Sequence, residues 1–286
     1  MNTFYVIANQ HKEKSRLEAD FIRRYLTSHG KKCYVQLESP KRGDGAGFRY
    51  TDASSIPSDV EGVLVLGGDG TLLQASRDLV DTGLPLLGIN LGTLGYLAEI
   101  DLSGVPTALD RLMGDDFSIE DRMMIKGSVI CQNKVVLEDI ALNDIVIGRE
   151  AMRVIDVNLF VDDVYLCSYR ADGFIVATPT GSTGYSLSAG GPIVEPEASL
   201  MLLTPVAPHT LTSRSIVLPD NVTVTIRTED HADAGKENLA EVMFDGDTSA
   251  PLQPGSQVVV TKTEKKTHII KINHTSFVEI IRQKLR

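Results

Sequence analysis

The sequence predicts an α/β half followed by an all-β half. Three observations carry this. Up to about Asp101, short apolar runs alternate with segments of helical period, which is the pattern of a parallel sheet covered by helices. Beyond Asp101, β-rich segments separated by turn residues dominate. Between them in importance stands Val63-Leu64-Val65-Leu66-Gly67-Gly68-Asp69-Gly70-Thr71-Leu72-Leu73, a buried strand, a glycine turn and the first turn of a helix. The expected division is residues 1–101 as the α/β domain and 102–273 as the β-rich domain. A short amphipathic helix within 274–286 closes the chain, and its apolar stripe can pack on either domain.

The elements follow in order. Phe4 to Ala8 reads as a strand, and Lys12 to Ser28 as a helix with Leu17, Phe21, Tyr25 and Leu26 at helical spacing and Gly30 as its C-terminal cap. Cys33 to Leu37 reads as a second strand, and Pro40 to Ser58, rich in glycine and mixed charge, as a loop. Val63 to Leu66, Leu72 to Val80 and Leu84 to Ile89 read as strand, helix and strand, followed by a second glycine-rich turn, Asn90-Leu91-Gly92-Thr93-Leu94-Gly95-Tyr96-Leu97. A second wall of one cleft would account for that repetition. Val105, Leu109, Leu112 and Met113 mark one short helix. The β segments are Met124 to Cys131, Val135 to Ile147, Val154 to Val161, Tyr165 to Ala177, Ser215 to Val217, Val222 to Ile226, Val242 to Phe244, Gln257 to Lys262 and His268 to Ile272. Asp162-Asp163 and Pro254-Gly255 punctuate them as turns. Ser276 and Glu279 form a capping box before Phe277, Ile280, Ile281 and Leu285, the stripe of a closing helix.

Composition narrows the function classes. The 286 residues suffice for two cores, and a formal net charge of −10 argues against broad nucleic-acid binding, so an anionic ligand needs a locally positive pocket. Cys33, Cys131 and Cys167 are far apart and odd in number, as reduced thiols are. No run approaches membrane-spanning length and no basic region precedes the first apolar run, so a cytoplasmic location is expected.

Three constellations point to nucleotide chemistry. In the first, Gly67, Gly68 and Gly70 let the backbone turn sharply and approach a pyrophosphate, while the helix start offers free N–H groups and positive dipole. Asp69 would repel a phosphate unless it took a proton or bound a cation, which suggests chemistry as well as binding. A tight strand-to-helix turn with Asp69 as helix cap satisfies the same residues. The turn lacks the Gly-Lys-Ser/Thr ending of a P-loop and the spacing of the dinucleotide fingerprint. In the second, Asp172 to Pro192 combines Thr and Ser hydroxyls with bare glycine N–H groups, which bind phosphate or ribose oxygens without adding charge, and Tyr185 offers a face to a base or sugar. A long polar hairpin connection is the plainer alternative. In the third, Asn143-Asp144 interrupts the apolar run Ile140 to Ile147. An amide can read an adenine edge and a carboxylate can accept both ribose hydroxyls, and a β-turn or bulge uses the same pair.

Together these residues resemble the NAD kinase family through most of the chain. Gly67-Gly68-Asp69-Gly70-Thr71 is similar to its first signature, Asn90 to Leu97 to the glycine-rich segment after it, Asn143-Asp144 to its Asn-acidic pair, Arg170-Ala171-Asp172-Gly173 through Gly190-Gly191-Pro192 to its longest signature, and Pro205 to Arg214 to a further one. Diacylglycerol and sphingosine kinases and phosphofructokinases share the Gly-Gly-Asp-Gly turn but not the long second cluster. Tyr96 and Gly184 stand where the commonest family pattern has Phe and Ala, which bears on pocket shape.

The resemblance implies an N-terminal Rossmann-like domain, a C-terminal β-sandwich, and transfer of the terminal phosphoryl of ATP to the 2′-hydroxyl of the adenosine ribose of NAD, giving NADP. It implies Asp69 as proton acceptor and, with Gly70, part of the dinucleotide site. Asn143 and Asp144 would hold adenine and its ribose, and Arg170 and Asp172 the rest of the substrate. Thr183, Gly184, Tyr185, Ser186, Leu187 and Ser188 would form the binding loop, and Arg153, Ala207 and Asp247 match more weakly. It further implies ATP with a divalent cation, Mg²⁺ or Mn²⁺, a homo-oligomer such as a tetramer, and a final helix, within 274–286, that returns to the first domain. No dedicated metal-ligand cluster is visible in the sequence, and neither nucleic acid nor membrane is an expected partner. A lipid kinase would need an apolar acceptor surface that this acidic chain does not display, and a non-catalytic dinucleotide sensor could dispense with Asp69.

Overall fold

The structure, a computed structural model, describes residues 1–8, 13–36, 50–92, 95–149, 154–210, 213–228, 240–253, 255–273 and 275–284. In chain order the first elements are β1 (Thr3–Ala8), α1 (Glu13–Ser28), β2 (Lys32–Val35), β3 (Gly62–Gly67), α2 (Asp69–Leu79), β4 (Leu86–Asn90), β5 (Ile100–Asp101) and α3 (Val105–Met113). Then come β6 (Ser118–Cys131), β7 (Lys134–Ala141), β8 (Asp144–Arg149), β9 (Ile155–Val161), β10 (Val164–Ala171), β11 (Gly173–Ala177), α4 (Tyr185–Ser188) and β12 (Leu200–Val206). The last are β13 (Ile216–Pro219), β14 (Val224–Thr228), β15 (Ala240–Phe244), β16 (Thr248–Leu252), β17 (Gln257–Lys271) and α5 (Phe277–Lys284). The chain forms two compact units, one from residues up to Arg122 together with those from Lys266 onward, the other from Met123–Lys265.

The first unit is α/β. Its strands β4, β3, β1 and β2 are adjacent in that order and parallel, and β5 and the end of β17 also pair with β4 in parallel. Apolar residues on both faces of each strand explain this. Phe4, Val6, Ala8, Leu64 and Leu66 pack on one side with Ala19, Ile22 and Leu26 of α1 and Val105, Leu109 and Leu112 of α3. On the other side, Tyr5, Ile7, Val63 and Val65 pack with Leu72, Ala75 and Leu79 of α2. Such two-sided burial is what makes parallel strands read as continuous apolar runs. The buried stripe of α1 therefore runs through Ala19, Ile22 and Leu26, and Leu17, expected on it, is 58% exposed. Gly30 caps α1 at φ +72, as expected.

The second unit is a β-sandwich. One sheet has the order β13-β12-β11-β8-β15-β16, antiparallel throughout, and the other runs β10-β9-β14-β17, with β6 pairing both β17 and β7. Ile145, Ile147, Phe174, Val176 and Phe244 of one sheet meet Ile125, Val129, Val157, Leu159 and Val258 of the other in one core. The apolar stretches Val135–Ile147 and Tyr165–Ala177, expected as single segments, each break into two strands in different sheets. Conversely, the segments expected at Gln257–Lys262 and His268–Ile272 merge into one strand, β17, which ends at Lys271 and whose middle is polar and exposed and so carries no alternation to read. Both β12 and β16 contain a proline, Pro205 and Pro251, which weakens their strand signal, and neither is expected from the pattern. Asp162 and Asp163 take φ +48 and +64, the left-handed pair of a tight hairpin turn.

The capping box before α5 is formed: the Ser276 N–H and hydroxyl donate to Glu279 at 2.8 and 2.9 Å, and the Glu279 N–H donates to the Ser276 Oγ at 3.3 Å. Leu285 of its expected stripe, Leu37 of the second strand, residues 40–49 of the expected loop and Pro254 of a turn lie outside the described residues. Cys33, Cys131 and Cys167 are free thiols. Among the described residues no helix is long and apolar enough to cross a membrane.

Candidate active site

In the first unit, β3 and β4 are parallel neighbours, so the loops at their carboxyl ends lie side by side. Those loops are the two glycine-rich turns. At the first, Gly67 ends β3, Gly68 precedes α2 in extended conformation, and Asp69 opens the helix, where a carboxylate complements the macrodipole. The Thr71 side chain fills the space a Cβ on Gly67 would need, 2.2 Å from its Oγ1, whereas nothing lies within 4 Å of a Cβ on Gly70.

The Asp69 carboxylate is not left standing in a phosphate cradle. Its Oδ2 accepts the Tyr96 N–H at 2.9 Å, and its Oδ1 accepts the Leu97 and Ala98 N–H groups at 3.3 Å each. Gly95 admits it, because a Cβ there would stand 2.1 Å from Oδ1. Asp69 thus joins the two turns, which accounts for the second glycine-rich segment. The far side of that segment is fixed too. The Glu99 N–H donates to Gly88 O at 3.0 Å, and the buried Glu99 carboxylate accepts the Ile272 and Asn273 N–H groups at 3.0 and 2.7 Å and the Lys271 ammonium. At its start, Asn90 Nδ2 donates to Gly92 O at 2.8 Å, and the Lys14 ammonium donates to Leu91 O.

In the second unit, the chain leaves one sheet at the end of β7 and enters the other at Asp144, the first residue of β8. The bend between is held by a residue the sequence reading did not single out. Asp245, at φ +50 in the β15–β16 turn, accepts the N–H groups of Leu142, Asn143 and Asp144 at 2.8, 2.8 and 3.1 Å, and its own N–H donates to Asp144 O at 3.0 Å. The Asp-Gly pair after Val242–Phe244 signals a turn, but no local pattern shows that the turn reaches back a hundred residues.

The start of the long loop is tied to the same bend. The Thr178 N–H donates to Asn143 O at 2.8 Å, its hydroxyl donates to Leu142 O at 2.5 Å, and the Gly181 N–H donates to Thr178 Oγ1 at 3.1 Å. A Cβ on Gly181 would stand 2.1 Å from Asn143 O, and one on Gly184 3.3 Å from Asn143 Nδ2 and 3.7 Å from an Asp144 oxygen. Asn143, Asp144, Thr183, Gly184 and the exposed Tyr185 are thereby gathered at one end of β11. The Thr183 hydroxyl donates to Thr180 O, Leu187 is half-buried and Ser188 exposed. Ser186 is buried with its hydroxyl 3.0 Å from that of Thr204, so its side chain faces the sheet. Asp247 closes the Asp245 turn through its N–H to Phe244 O at 3.0 Å.

Arg170, Asp172 and Ala207 form a different group. The Asp172 N–H donates to Val206 O at 3.0 Å, the His209 N–H donates to Arg170 O at 2.8 Å, and Ala207 sits between at φ +43. Arg170 and Asp172 are exposed beside the opposite end of β11, roughly 20 Å of strand from Thr178. Arg153 lies outside the described residues.

The electrostatics single out Asp144. It is 6% exposed, and no hydrogen bond to its carboxylate is found among the described residues. Burial first, and then the like charge of Asp245, push its carboxyl up to about 7. Among the described residues, the buried Asn143 Oδ1 and Thr180 Oγ1 have no hydrogen-bond partner. A buried amide oxygen beside a carboxylate of raised pKa is chemistry suited to binding a polar ligand. Among the described residues no three His, Cys, Asp or Glu side chains converge as a metal site.

Both halves of the chain match one family of known proteins. The ATP-NAD kinase N-terminal domain family matches residues 6–117, and the ATP-NAD kinase C-terminal domain family matches residues 142–272. The chain is 40% identical to an NAD kinase of Lachnospira eligens over 294 aligned residues, covering 100% of both chains. It is 41% identical to an NAD kinase of Agathobacter rectalis over 286, covering 100% of this chain and 99% of the relative. Among solved structures, yeast NADH kinase complexed with NADH superimposes with a TM-score of 0.84 at 23% identity, covering 99% of this chain and 87% of the other. An NAD kinase from Archaeoglobus fulgidus in complex with ATP does so with a TM-score of 0.71 at 25% identity, covering 96% and 94%.

Proposed function

The chain belongs to the NAD kinase family and is an ATP-dependent NAD kinase, and we propose that Asp69 serves the acceptor hydroxyl while the Asn143–Asp144 bend reads the adenosine it belongs to. In the reaction the 2′-oxygen of the adenosine ribose of NAD attacks the γ-phosphorus of ATP. The bond from that phosphorus to the β–γ bridging oxygen breaks, and ADP leaves. Asp69 takes the proton of the hydroxyl. A carboxylate is a weak base for an alcohol, but a loose transition state delays proton loss, so alignment outweighs basicity. The observation that carries this reading is the fixed position of the Asp69 carboxylate between the two glycine turns.

The remaining assignments follow the same division. Gly70 lets the dinucleotide approach the backbone, and Thr183 to Ser188 flank it, with Tyr185 presenting its ring and Ser186 its backbone. Arg170, Asp172, Ala207, Arg153 and Asp247 serve the rest of the substrate, and residues 102–273 form the NAD-binding domain. A divalent cation, Mg²⁺ or Mn²⁺, would arrive bound to ATP as part of the donor substrate and would supply neutralisation of charge on the transferred group. The reading includes a homo-oligomer working in the cytoplasm.

Incubation with ATP and Mg²⁺ and with NAD, NADH or diacylglycerol as acceptor, followed by an NADP-specific dehydrogenase assay, tests the reaction. NADP from NAD is the expected product. A folded protein that phosphorylates diacylglycerol alone would overturn the reading in favour of a lipid kinase, and one that binds NAD without any product would leave a sensor.

A further inference from the structure

We propose that Asp245 is a positioning residue for the acceptor substrate, holding the Asn143–Asp144 bend in the conformation that receives the adenosine of NAD. The inference rests on the reading of Asn143 and Asp144 given above and extends it to a residue outside the expected binding set.

The argument begins with the backbone. Where the chain passes from one sheet to the other, the N–H groups of residues 142–144 leave one ladder before the next begins, and buried N–H groups need acceptors. Asp245 supplies all three from one carboxylate and returns its own N–H to Asp144 O. Its reach depends on φ +50 in the β15–β16 turn, a conformation that Asp, Asn and Gly adopt at least cost. The contact is wholly to backbone. It leaves the Asn143 Oδ1 without a partner and the Asp144 carboxylate without a hydrogen bond among the described residues, so both side chains are held in place and available.

The same geometry couples charge to binding. Among the described residues, Asp245 is the charged group that acts on Asp144, and the groups packed on the bend from the long loop, Thr178, Gly181 and Gly184, are neutral. An ionised Asp144 accepts both ribose hydroxyls, whereas a protonated one has given up an acceptor. NAD affinity therefore rises with pH through the neutral range, and removing the Asp245 charge moves that rise to lower pH.

The test uses the full chain and NAD calorimetry on Asp245→Asn, Asp245→Gly and Asp144→Ala, with unfolding transitions recorded in parallel. Both Asp245 variants tolerate the positive φ, so backbone strain is not introduced. Their NAD affinity is expected to fall by about tenfold or more, with the KM for ATP within about twofold of the parent. For Asp245→Asn, the acid limb of NAD binding is expected at lower pH, which a purely structural loss would not produce. If Asp144→Ala weakens NAD binding but both cooperatively folded Asp245 variants bind normally, the positioning role is overturned. If Asp144→Ala itself binds normally, the reading of the bend fails instead. Should neither Asp245 variant fold, hydrogen exchange of the parent protein decides: amides of Leu142, Asn143 and Asp144 that exchange as freely as unpaired backbone, with and without NAD, overturn the proposal.

Discussion

Gly95 lies directly against Asp69, since a Cβ built on Gly95 would stand 2.1 Å from the carboxylate Oδ1 and 2.2 Å from Oδ2. The glycine is what lets the backbone N–H groups of Tyr96, Leu97 and Ala98 close on that carboxylate. Gly95→Ala must therefore turn the aspartate or displace the loop. We expect kcat to fall about 10- to 100-fold, with a stability loss of about 1–3 kcal/mol. Steady-state kinetics beside urea unfolding would show it, and an unchanged kcat in a folded variant would mean that the orientation of Asp69 does not govern turnover.

Gly70 is the contrasting case. Nothing lies within 4 Å of a Cβ placed there, and the position belongs to the first turn of α2. Gly70→Ala should stabilise the ligand-free protein by about 0.5–1 kcal/mol through helix propensity. It should nevertheless weaken NAD binding if the dinucleotide comes close to that backbone. Thermal unfolding with and without NAD separates the two effects, and equal stabilisation in both conditions would move the substrate away from Gly70.

Asp69→Asn keeps size and one acceptor oxygen but sets an amide N–H₂ against backbone N–H groups. The fold and NAD binding should persist while kcat drops by about 10²-fold or more. Near-normal turnover in single-turnover assays would remove Asp69 from the chemistry.

Asp144 gives stability a pH dependence of definite sign. Its folded-state carboxyl is raised to about 7 by burial and by Asp245, from an ordinary aspartate value of 3.8, so between these values the native state holds the proton more tightly than the unfolded chain does. The penalty for burying it is absent below about pH 4 and develops as pH rises to about 7. Asp144→Asn should therefore stabilise the ligand-free protein by about 1–3 kcal/mol at pH 8, with the gain disappearing towards pH 4. Denaturant titrations at a series of pH values would reveal this convergence, and a gain independent of pH would rule out the charge as its origin.

Glu99 anchors the loop that holds Asp69 to the chain beyond β17, and its carboxylate and the Lys271 ammonium are both largely buried. Glu99→Gln leaves that ammonium without its counter-charge and should cost about 2–4 kcal/mol. A shift of the unfolding midpoint reports the loss. If Glu99→Gln and Lys271→Met together are no worse than either alone, the pair acts as one unit.

Much of this protein is legible in its residue order because several signals are local. A run such as Val63–Leu66, apolar on both faces, has few homes other than a covered parallel strand, and Gly30, Asp162-Asp163 and Ser276/Glu279 announce caps and turns through their own conformational preferences. The glycine turn around Asp69 and the hydroxyl-rich loop around Thr183 likewise carry their character in composition, and the family resemblance rests on them. Local signals blur where a strand continues without alternation, as in the middle of β17, or contains proline, as in β12 and β16.

What the tertiary structure alone decided is which groups satisfy one another over long distances in sequence. Asp69 meets the loop at Tyr96–Ala98, Glu99 meets Ile272 and Asn273, and Asp245 meets Leu142–Asp144. Each is a carboxylate placed where the backbone leaves regular pairing and its N–H groups require acceptors. That requirement is set by where the strands end in space, so it has no period and no spacing to read. The sequence by itself determined the elements, the glycine turns and the residues fit for nucleotide chemistry, and the fold decided which carboxylates hold those turns in place.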